Sequence, residues 1–465
     1  MRWDVAIVGA GPAGLMAAER AAERGRKTIL LDKNREPGVK ILLFGGGRCN
    51  LTHATGAWGI VAAFGRNGRF LHSALAALGP QQVVDLFEAE GVPIKTEPDG
   101  KMFPASDRAA DVRDALLRRA ERAGCTLAMD EPLVELISPF SPGVLAEEGA
   151  AWTRRLNADA TFQLQTTKRS IEAEKVLLAS GGKSYPSCGT TGDGYRWAAA
   201  LRHRIVPPHA GLVPITSHAG WVSDLQGITL ADVAVEVIEV TAVTEEADKN
   251  VCPTGSERGR RKLSRGDFAE AATSSRQLPP SPLAADRGAL LFAHFGVSGP
   301  VVLNVSHVVS GHPRPASLRL RCDLLPTLSE PELDGLLAGE QTAAGKRHAA
   351  SLLDRWLPHR VGETVVLLSG TPLERPLGEL SKAQRRRVVQ TVNRLDIPVA
   401  GTMGFRKAEV TAGGVSLDEV DSRTMQSKIV RNLYFAGELL DLNGPEGGYN
   451  IQAAFSTGWL AGESV

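Results

Sequence analysis

The chain has 465 residues and a formal net charge of +1, with 43% hydrophobic and 23% charged residues. That balance is ordinary for a globular protein, and it gives no reason to expect nucleic acid or an acidic surface as an obligate partner. The length exceeds what one core usually supports, so two or three domains are expected, and no apolar run is long enough to span a bilayer.

Residues 4–8 are an apolar, branched run that reads as a buried parallel strand. They lead into Gly9-Ala10-Gly11-Pro12-Ala13-Gly14 and then an alanine-rich segment, which predicts a helix from about Ala13 to Arg24. A second apolar run, Thr28–Leu31, ends at Asp32. This order of strand, GxGxxG, helix, strand and acid is the context a dinucleotide-binding fingerprint needs. Gly9 permits the tight turn, Gly11 lets backbone approach a pyrophosphate, and Gly14 lets helix and strand pack closely. The phosphates belong at the helix N-terminus, and Asp32 can accept from the adenosine ribose hydroxyls. Because the first strand of the fold starts the chain, a cleaved signal peptide is not expected.

A second glycine cluster, Gly45-Gly46-Gly47-Arg48-Cys49-Asn50, follows Lys40 and lets backbone and a cation approach an anionic or planar ligand. Residues 80–90 and 111–123 read as amphipathic helices. Strands are expected at 162–166 and 175–179. The latter run leads into Ser180-Gly181-Gly182-Lys183-Ser184-Tyr185 and then Gly189–Gly194. An apolar strand ending in small residues and paired glycines is the pattern found where a FAD-binding sheet meets its cofactor. Residues 212–240 look β-rich, with period 2 over Val233–Val240. Residues 241–288 are polar, charged and proline-rich, and read mostly as a mobile loop inserted in a β-domain.

Apolar strands are expected again at 289–323 and helices at 328–395. Lys346–Leu357 places Leu352, Leu353, Trp356 and Leu357 on one face, and Ser381 is placed to cap a helix through Val389. Near the end, Leu433–Ala436 runs into Gly437-Glu438 and Asp441, and Gly447-Gly448-Tyr449-Asn450-Ile451 opens a final helix. This arrangement resembles the closing element of many FAD enzymes, in which the acid contacts the ribityl or pyrophosphate part and the helix N-terminus faces the flavin edge that gains negative charge on reduction. The five cysteines (49, 125, 188, 252 and 322) form no CxxC, which fits a reducing cytoplasm, and the ten histidines lack metal-binding spacing. The basic runs at 258–262 and 385–387 read as solvated surface.

Four ordered motifs carry a resemblance: Lys40 with Gly45–Thr52, Leu290–Pro300, Val410–Val415, and Gly437–Asp441 with Gly447–Gln452. Spread over nearly the whole chain, they make it similar to the bacterial BaiN-like FAD-dependent oxidoreductases, also labelled aminoacetone oxidase-like (NAD(P)/FAD-dependent). Phe44 stands where these proteins usually carry a serine. The resemblance implies an α/β fold: a discontinuous Rossmann-like FAD-binding domain with an inserted β-barrel and a small helical domain. The expected boundaries are 1–207 and 399–465 for the FAD-binding parts, 208–325 for the barrel and 326–398 for the helical insert.

The expected cofactor set is Gly9, Gly11, Pro12, Ala13, Gly14, Asp32, Lys33, Lys40, Gly46, Gly47, Arg48, Cys49, Asn50 and Val134 from the first half. Ser180, Gly181, Gly182, Gly192, Asp193, Gly437, Glu438, Asp441, Gly448, Tyr449, Asn450 and Ile451 complete it. Tyr185, His53 and Lys183 lie beside these motifs as candidate acids or bases. The function expected is a cytoplasmic enzyme with non-covalent FAD that moves a hydride between a small organic substrate and flavin. Only one complete GxGxxG unit is visible, so NAD(P)H, if it is the electron donor, would dock transiently. The rival readings are an amine or alcohol oxidase using O2, and a flavin-dependent sensor or RNA-associated flavoprotein. No metal is expected, and the sequence leaves the oligomeric state open.

Overall fold

The computed structural model describes residues 2–139, 161–240 and 281–465. They divide into two compact units, one made of residues 1–214 and 403–465 and the other of residues 215–402.

The first unit is built on a mainly parallel sheet. Arg2–Val8 pairs in parallel with Thr28–Leu31 on one side and with Ser170–Leu178 on the other. Thr126–Ala128 extends the first side, and Leu433–Phe435 pairs in parallel with Ser170–Leu178. Phe162–Thr166 adds antiparallel to the start of Ser170–Leu178. Val5–Val8 and Thr28–Leu31 are buried throughout, as central strands of a parallel sheet are. The chain leaves Arg2–Val8 toward one neighbour and later returns to the other. The carboxyl end of that strand is therefore a topological switch point, where open α/β sheets hold their ligands.

Two helices lie together beside the sheet. Pro12–Glu23 packs on Tyr449–Ser464, the last helix of the chain. A Cβ at Gly458 would lie 2.2 Å from the Ala13 carbonyl oxygen, and one at Gly462 would lie 2.6 Å from that of Ala17. Glycines one turn apart on one helix thus meet alanine positions one turn apart on the other, and the two backbones nearly touch. The expected amphipathic helices are present as Pro80–Ala89 and Ala109–Arg122.

The second unit has an antiparallel sheet with Thr229–Glu239 at its centre, flanked by Ala284–Ala293 and Leu318–Asp323. The run 395–402 pairs with Leu318–Asp323 through its first half and with Ile215–Thr216 through its second. Through that shared run the sheet curls back on itself. Its strands share one apolar core with the helices Glu330–Ala343, His359–Leu368 and Lys382–Asn393.

Several expectations need correction. Residues 289–323 are not all strand: Pro300–Gly311 is a helix. Val301, Val302, Val305 and Val309 are buried at helical spacing behind Gly299 (φ +94°) with Pro300 in the first turn, and that period outweighs the β preference of valine. Lys346–Leu357 holds only a short 3-10 turn, Ala349–Ser351, followed by turns, although Leu352, Leu353 and Leu357 are buried. Ser381 does cap a helix, in a capping box with Gln384, and that helix runs on to Asn393. Of the expected loop 241–288, residues 241–280 lie outside the described residues. Ala284–Gly288 belongs to a strand, because Val237 pairs with Ala284 and Val233 with Gly288.

Candidate active site

The first unit contains an elongated cavity of about 330 Å³ at the switch point. It runs along the loop after Arg2–Val8 and the turn after Thr28–Leu31, past Ala179–Gly181, to Gly437-Glu438 and the start of the last helix.

The fingerprint loop has the geometry its glycines require. A Cβ at Gly14 would lie 1.8 Å from the Gly9 carbonyl oxygen, and one at Gly9 would lie 2.5 Å from that of Ala179. Gly9 and Gly14 therefore close the turn onto the sheet. At Gly11 nothing lies within 4 Å of the Cβ position, so backbone there is open to a ligand. Helix Pro12–Glu23 begins at Gly11 with no side-chain cap and no acid in its first turn. Its first N–H groups lack intrahelical acceptors and carry the positive end of the dipole. The last helix likewise begins without a side-chain cap or first-turn acid, and Asn450, Ile451, Ala453 and Ala454 line the same cavity.

Asp32 is oriented by two backbone donors: Oδ2 accepts from Ala10 N at 2.7 Å and Oδ1 from Asn34 N at 2.8 Å. Burial raises its pKa, and these hydrogen bonds and Lys33 oppose the rise. Lys33 reaches across to Asp193 at 2.6 Å and Thr191 at 2.5 Å, joining the turn after Asp32 to the segment 189–193. The Ser180 hydroxyl is buried without a protein partner, against Gly194, where a Cβ would lie only 2.2 Å away. A buried polar atom left unpaired is costly, and this one borders the cavity.

Toward the other end is a buried charged network. The Lys40 ammonium pairs with Glu438 and donates to Ser184 Oγ at 2.6 Å. Ser184 Oγ lies 2.6 Å from Glu438 Oε1, which also accepts from Thr411 N at 2.9 Å. Thr411 Oγ1 in turn accepts from Lys183 N and Ser184 N. Four chain segments are thereby fixed around one carboxylate. A Cβ at Gly182 would lie 2.2 Å from Thr411 Oγ1, so this packing requires glycine.

Fifteen of the expected cofactor residues line the cavity: Gly9, Gly11, Pro12, Ala13, Asp32, Lys33, Lys40, Val134, Ser180, Gly181, Asp193, Gly437, Glu438, Asn450 and Ile451. Gly14, Gly46, Gly47, Arg48, Cys49, Asn50, Gly182, Gly192, Asp441, Gly448 and Tyr449 do not. Two of these need correcting. Arg48 is engaged by Glu97 at 2.6 Å and lies over the Phe103 ring at 3.9 Å. Cys49 is fully buried, and burial pushes its thiol pKa far up, so it is a core residue. Gly448 (φ +91°) sits against Asn50 Oδ1 and Thr52 O, each 2.6 Å from its Cβ position. The Asn450 amide ties down Gly444 and Pro445. Sequence reasoning missed Asn34, the Glu131–Leu133 turn, Arg196 and Trp197 on the cavity wall. Phe44, in the place of the family's usual serine, also lines the wall, with Lys40 Nζ 5.6 Å from its ring centroid.

None of the candidate acids and bases lines the cavity. His53 stacks on Tyr449 with centroids 5.0 Å apart, and its Nδ1 is buried without a partner. Tyr185 adopts φ +53°, an uncommon conformation for a non-glycine residue, and burial raises its phenol pKa. Lys183 Nζ lies 5.9 Å from the Phe405 ring centroid. Among the described residues no cluster of three or more potential metal ligands is found, and no helix is long and apolar enough to cross a membrane.

Residues 3–464 match the family described as HI0933-like protein Rossmann domain. The chain belongs to this family, a class of FAD-dependent oxidoreductases, in agreement with the resemblance read from its motifs. It is 29% identical to a ribosomal RNA dihydrouridine synthase of Escherichia coli (strain K12), over all of this chain and 98% of that protein. It is 27% identical to a protein of the same name from Haemophilus influenzae, over 99% of this chain and 97% of that protein. It is also 27% identical to a 3-dehydro-bile acid delta(4,6)-reductase of Clostridium scindens, over 99% of this chain and 98% of that protein.

Proposed function

We propose that this protein reduces a carbon–carbon double bond conjugated to a carbonyl, using non-covalent FAD held in the cavity of the first unit. The observation that carries the cofactor assignment is the paired arrangement of an open backbone at Gly11 and an oriented Asp32 at the switch point. The unpartnered Ser180 hydroxyl beside them fits a ligand rich in polar atoms. Asp32 would hold the adenosine ribose, and the N-terminus of Pro12–Glu23 the pyrophosphate. Lys40, Glu438 and the N-terminus of Tyr449–Ser464 would surround the redox end. When bound, FAD supplies two-electron hydride chemistry. The protein's part is to hold the dinucleotide, orient the substrate and place a proton.

Double-bond reduction is favoured because two differently named groups of full-length relatives share it. A dihydrouridine synthase and a delta(4,6)-reductase both add hydrogen across a double bond conjugated to a carbonyl. NAD(P)H is the proposed source of electrons. The buried free thiols Cys49, Cys125, Cys188 and Cys322 support a reducing compartment such as the cytoplasm.

The test is anaerobic. The reduced holoprotein is mixed with a cyclic enone, a uridine oligonucleotide or a saturated ketone, and the flavin absorbance and product mass are followed. Reoxidation by the enone or the oligonucleotide, with gain of two hydrogens, supports the proposal. Indifference to both, together with reduction of the oxidised protein by an amine or alcohol, would establish the oxidase reading instead.

A further inference from the structure

We propose that Lys40 is a catalytic residue of this reduction: the one uncommitted N–H of its ammonium binds the carbonyl oxygen of the substrate and holds the negative charge that gathers there as hydride adds. The proposal rests on the double-bond reading above and names the group that activates the substrate.

Lys40 lines the cavity and is only 8% exposed. It lies two residues after Gly38, whose amide donates to Ala10 O at 2.8 Å and ties this segment to the fingerprint loop. An ammonium carries three donors. One meets Glu438, and a second meets Ser184 Oγ at 2.6 Å. These two acceptors are themselves fixed. Glu438 Oε1 accepts from Thr411 N at 2.9 Å, and Ser184 Oγ lies 2.6 Å from Glu438 Oε1 and 3.2 Å from Glu409 O. The third N–H has no oxygen or nitrogen acceptor among the described residues. Its other close neighbour is the Phe44 ring, with the centroid 5.6 Å from Nζ, and Phe44 lines the cavity as well.

The other cations on the cavity wall are differently placed. Lys33 is committed to Asp193 and Thr191, and Arg196 is exposed, one turn beyond Asp193 on the same helix. Both belong to the Asp32 end. Lys40 is the buried one, held by Glu438 toward the other end. A preorganised donor in such a site, aimed where charge develops, is worth far more than the same donor in water.

The step balances with this one group. A hydride, carrying two electrons from the reduced flavin, forms the C–H bond at the β-carbon. The carbon–carbon π pair shifts toward the carbonyl carbon, and the carbonyl π pair moves onto oxygen, giving an enolate held by Lys40. A proton from water then forms the C–H bond at the α-carbon and the carbonyl is restored. The substrate has gained two hydrogens, the flavin has lost two electrons, and Lys40 ends as it began.

A phenolate is a stable, planar stand-in for that enolate. Fluorinated phenols are bound to the oxidised holoprotein and their ionisation is followed by fluorine NMR, in wild type, in Lys40→Arg and in the double variant Lys40→Met/Glu438→Gln. The double variant removes both charges, so no buried ion is left without its partner. Where it holds too little flavin, Lys40→Gln, which keeps a donor and loses the charge, takes its place. Bound phenol should ionise about one pH unit or more below its free value in wild type, by less in Lys40→Arg, and without a shift once the ammonium is gone. Enone reoxidation of the reduced protein, per bound flavin, should fall by about 10²-fold or more in the double variant. An unshifted phenol in wild type, a shift that survives loss of the ammonium, or an unchanged enone rate in the double variant would overturn the role of Lys40 and leave the double-bond reading standing. If the wild type reduces neither enone nor uridine, the double-bond reading fails and the catalytic role fails with it, whatever the phenols show.

Discussion

The two units solve the problem of burial differently. The second unit buries branched aliphatic side chains and has no fully buried charged residue among those described; its Arg321–Asp396 pair, 3.0 Å apart, is substantially solvated, and its Arg385–Asp334 pair is only partly buried. The first unit also has a large apolar core, but buries Lys40, Glu19, Asn50, Ser184 and Gln452. Among the described residues, every buried side-chain atom without a hydrogen-bond partner except Asn393 Oδ1 belongs to the first unit. Buried polar groups cost stability unless paired. Of these groups, the Lys40 ammonium and the Ser180 hydroxyl border the cavity, and Ser180 is placed there for a ligand to complete it.

The largest contrast should come from breaking one ion pair in each unit. Lys40→Met leaves Glu438 as a buried charge without its counter-ion and should destabilise the first unit by about 3–5 kcal/mol. Arg321→Met removes an exposed pair and should cost under about 1 kcal/mol. Urea unfolding of both variants measures this, and equal losses would erase the distinction.

Gly448→Val should come next. The new side chain meets Asn50 and the Thr52 backbone at a position with φ +91°, a strain of about 1–3 kcal/mol before the clash is added. The expected result is a less stable protein with little bound FAD, seen by thermal unfolding and by flavin absorbance.

Stability should also depend on pH through Glu409. Its folded pKa is raised to about 7 from 4.5, so the folded state binds the extra proton. The resulting stabilisation is full below the unfolded value and is lost as pH rises through about 7. Over that window the wild type should lose up to about 3 kcal/mol, and Glu409→Gln should not show this loss. Denaturation midpoints at pH 5 and pH 8.5 measure it.

The smallest effect is expected from replacing residues 241–280 with a short Gly/Ser linker. Val237 and Ala284 are already strand partners, and Leu283 N donates to Val237 O at 2.8 Å. A soluble protein with unchanged flavin content is expected, and a colourless or aggregated product would make the segment part of the fold.

Local periodicity and turn chemistry made much of the first unit legible. The apolar run before Gly9, the helix after it and Asp32 at the end of Thr28–Leu31 are all dictated within 32 residues. Ser381 was legible as a cap because its partner is only three residues away. What failed was non-local or ambiguous. The valines of Pro300–Gly311 favour strands in isolation, and only their burial on one helical face decides otherwise. The polar segment before residue 289 conceals strand residues whose partners lie about fifty positions earlier. Arg48 looked like a ligand cation, yet Glu97 and Phe103, which occupy it, are remote in sequence. Glu409 carries no motif of its own. Its character comes from burial and from Lys40, Lys101 and Glu446, which arrive from other segments.

The central claim is that the cavity of the first unit holds a dinucleotide, with Asp32 at its adenosine end. Titrating apoprotein with FAD and with FMN, in wild type and in Asp32→Ala, tests it most directly. Asp32→Ala removes charge-assisted hydrogen bonds worth roughly 1.5–3 kcal/mol. FAD affinity should therefore fall by about ten- to a hundredfold, while the weaker FMN binding stays the same. A wild type that binds one FAD per chain, and a variant that loses most of the preference for FAD over FMN, would agree with this account. Equal affinity for FAD and FMN in the wild type, or undiminished FAD binding in Asp32→Ala, would contradict it.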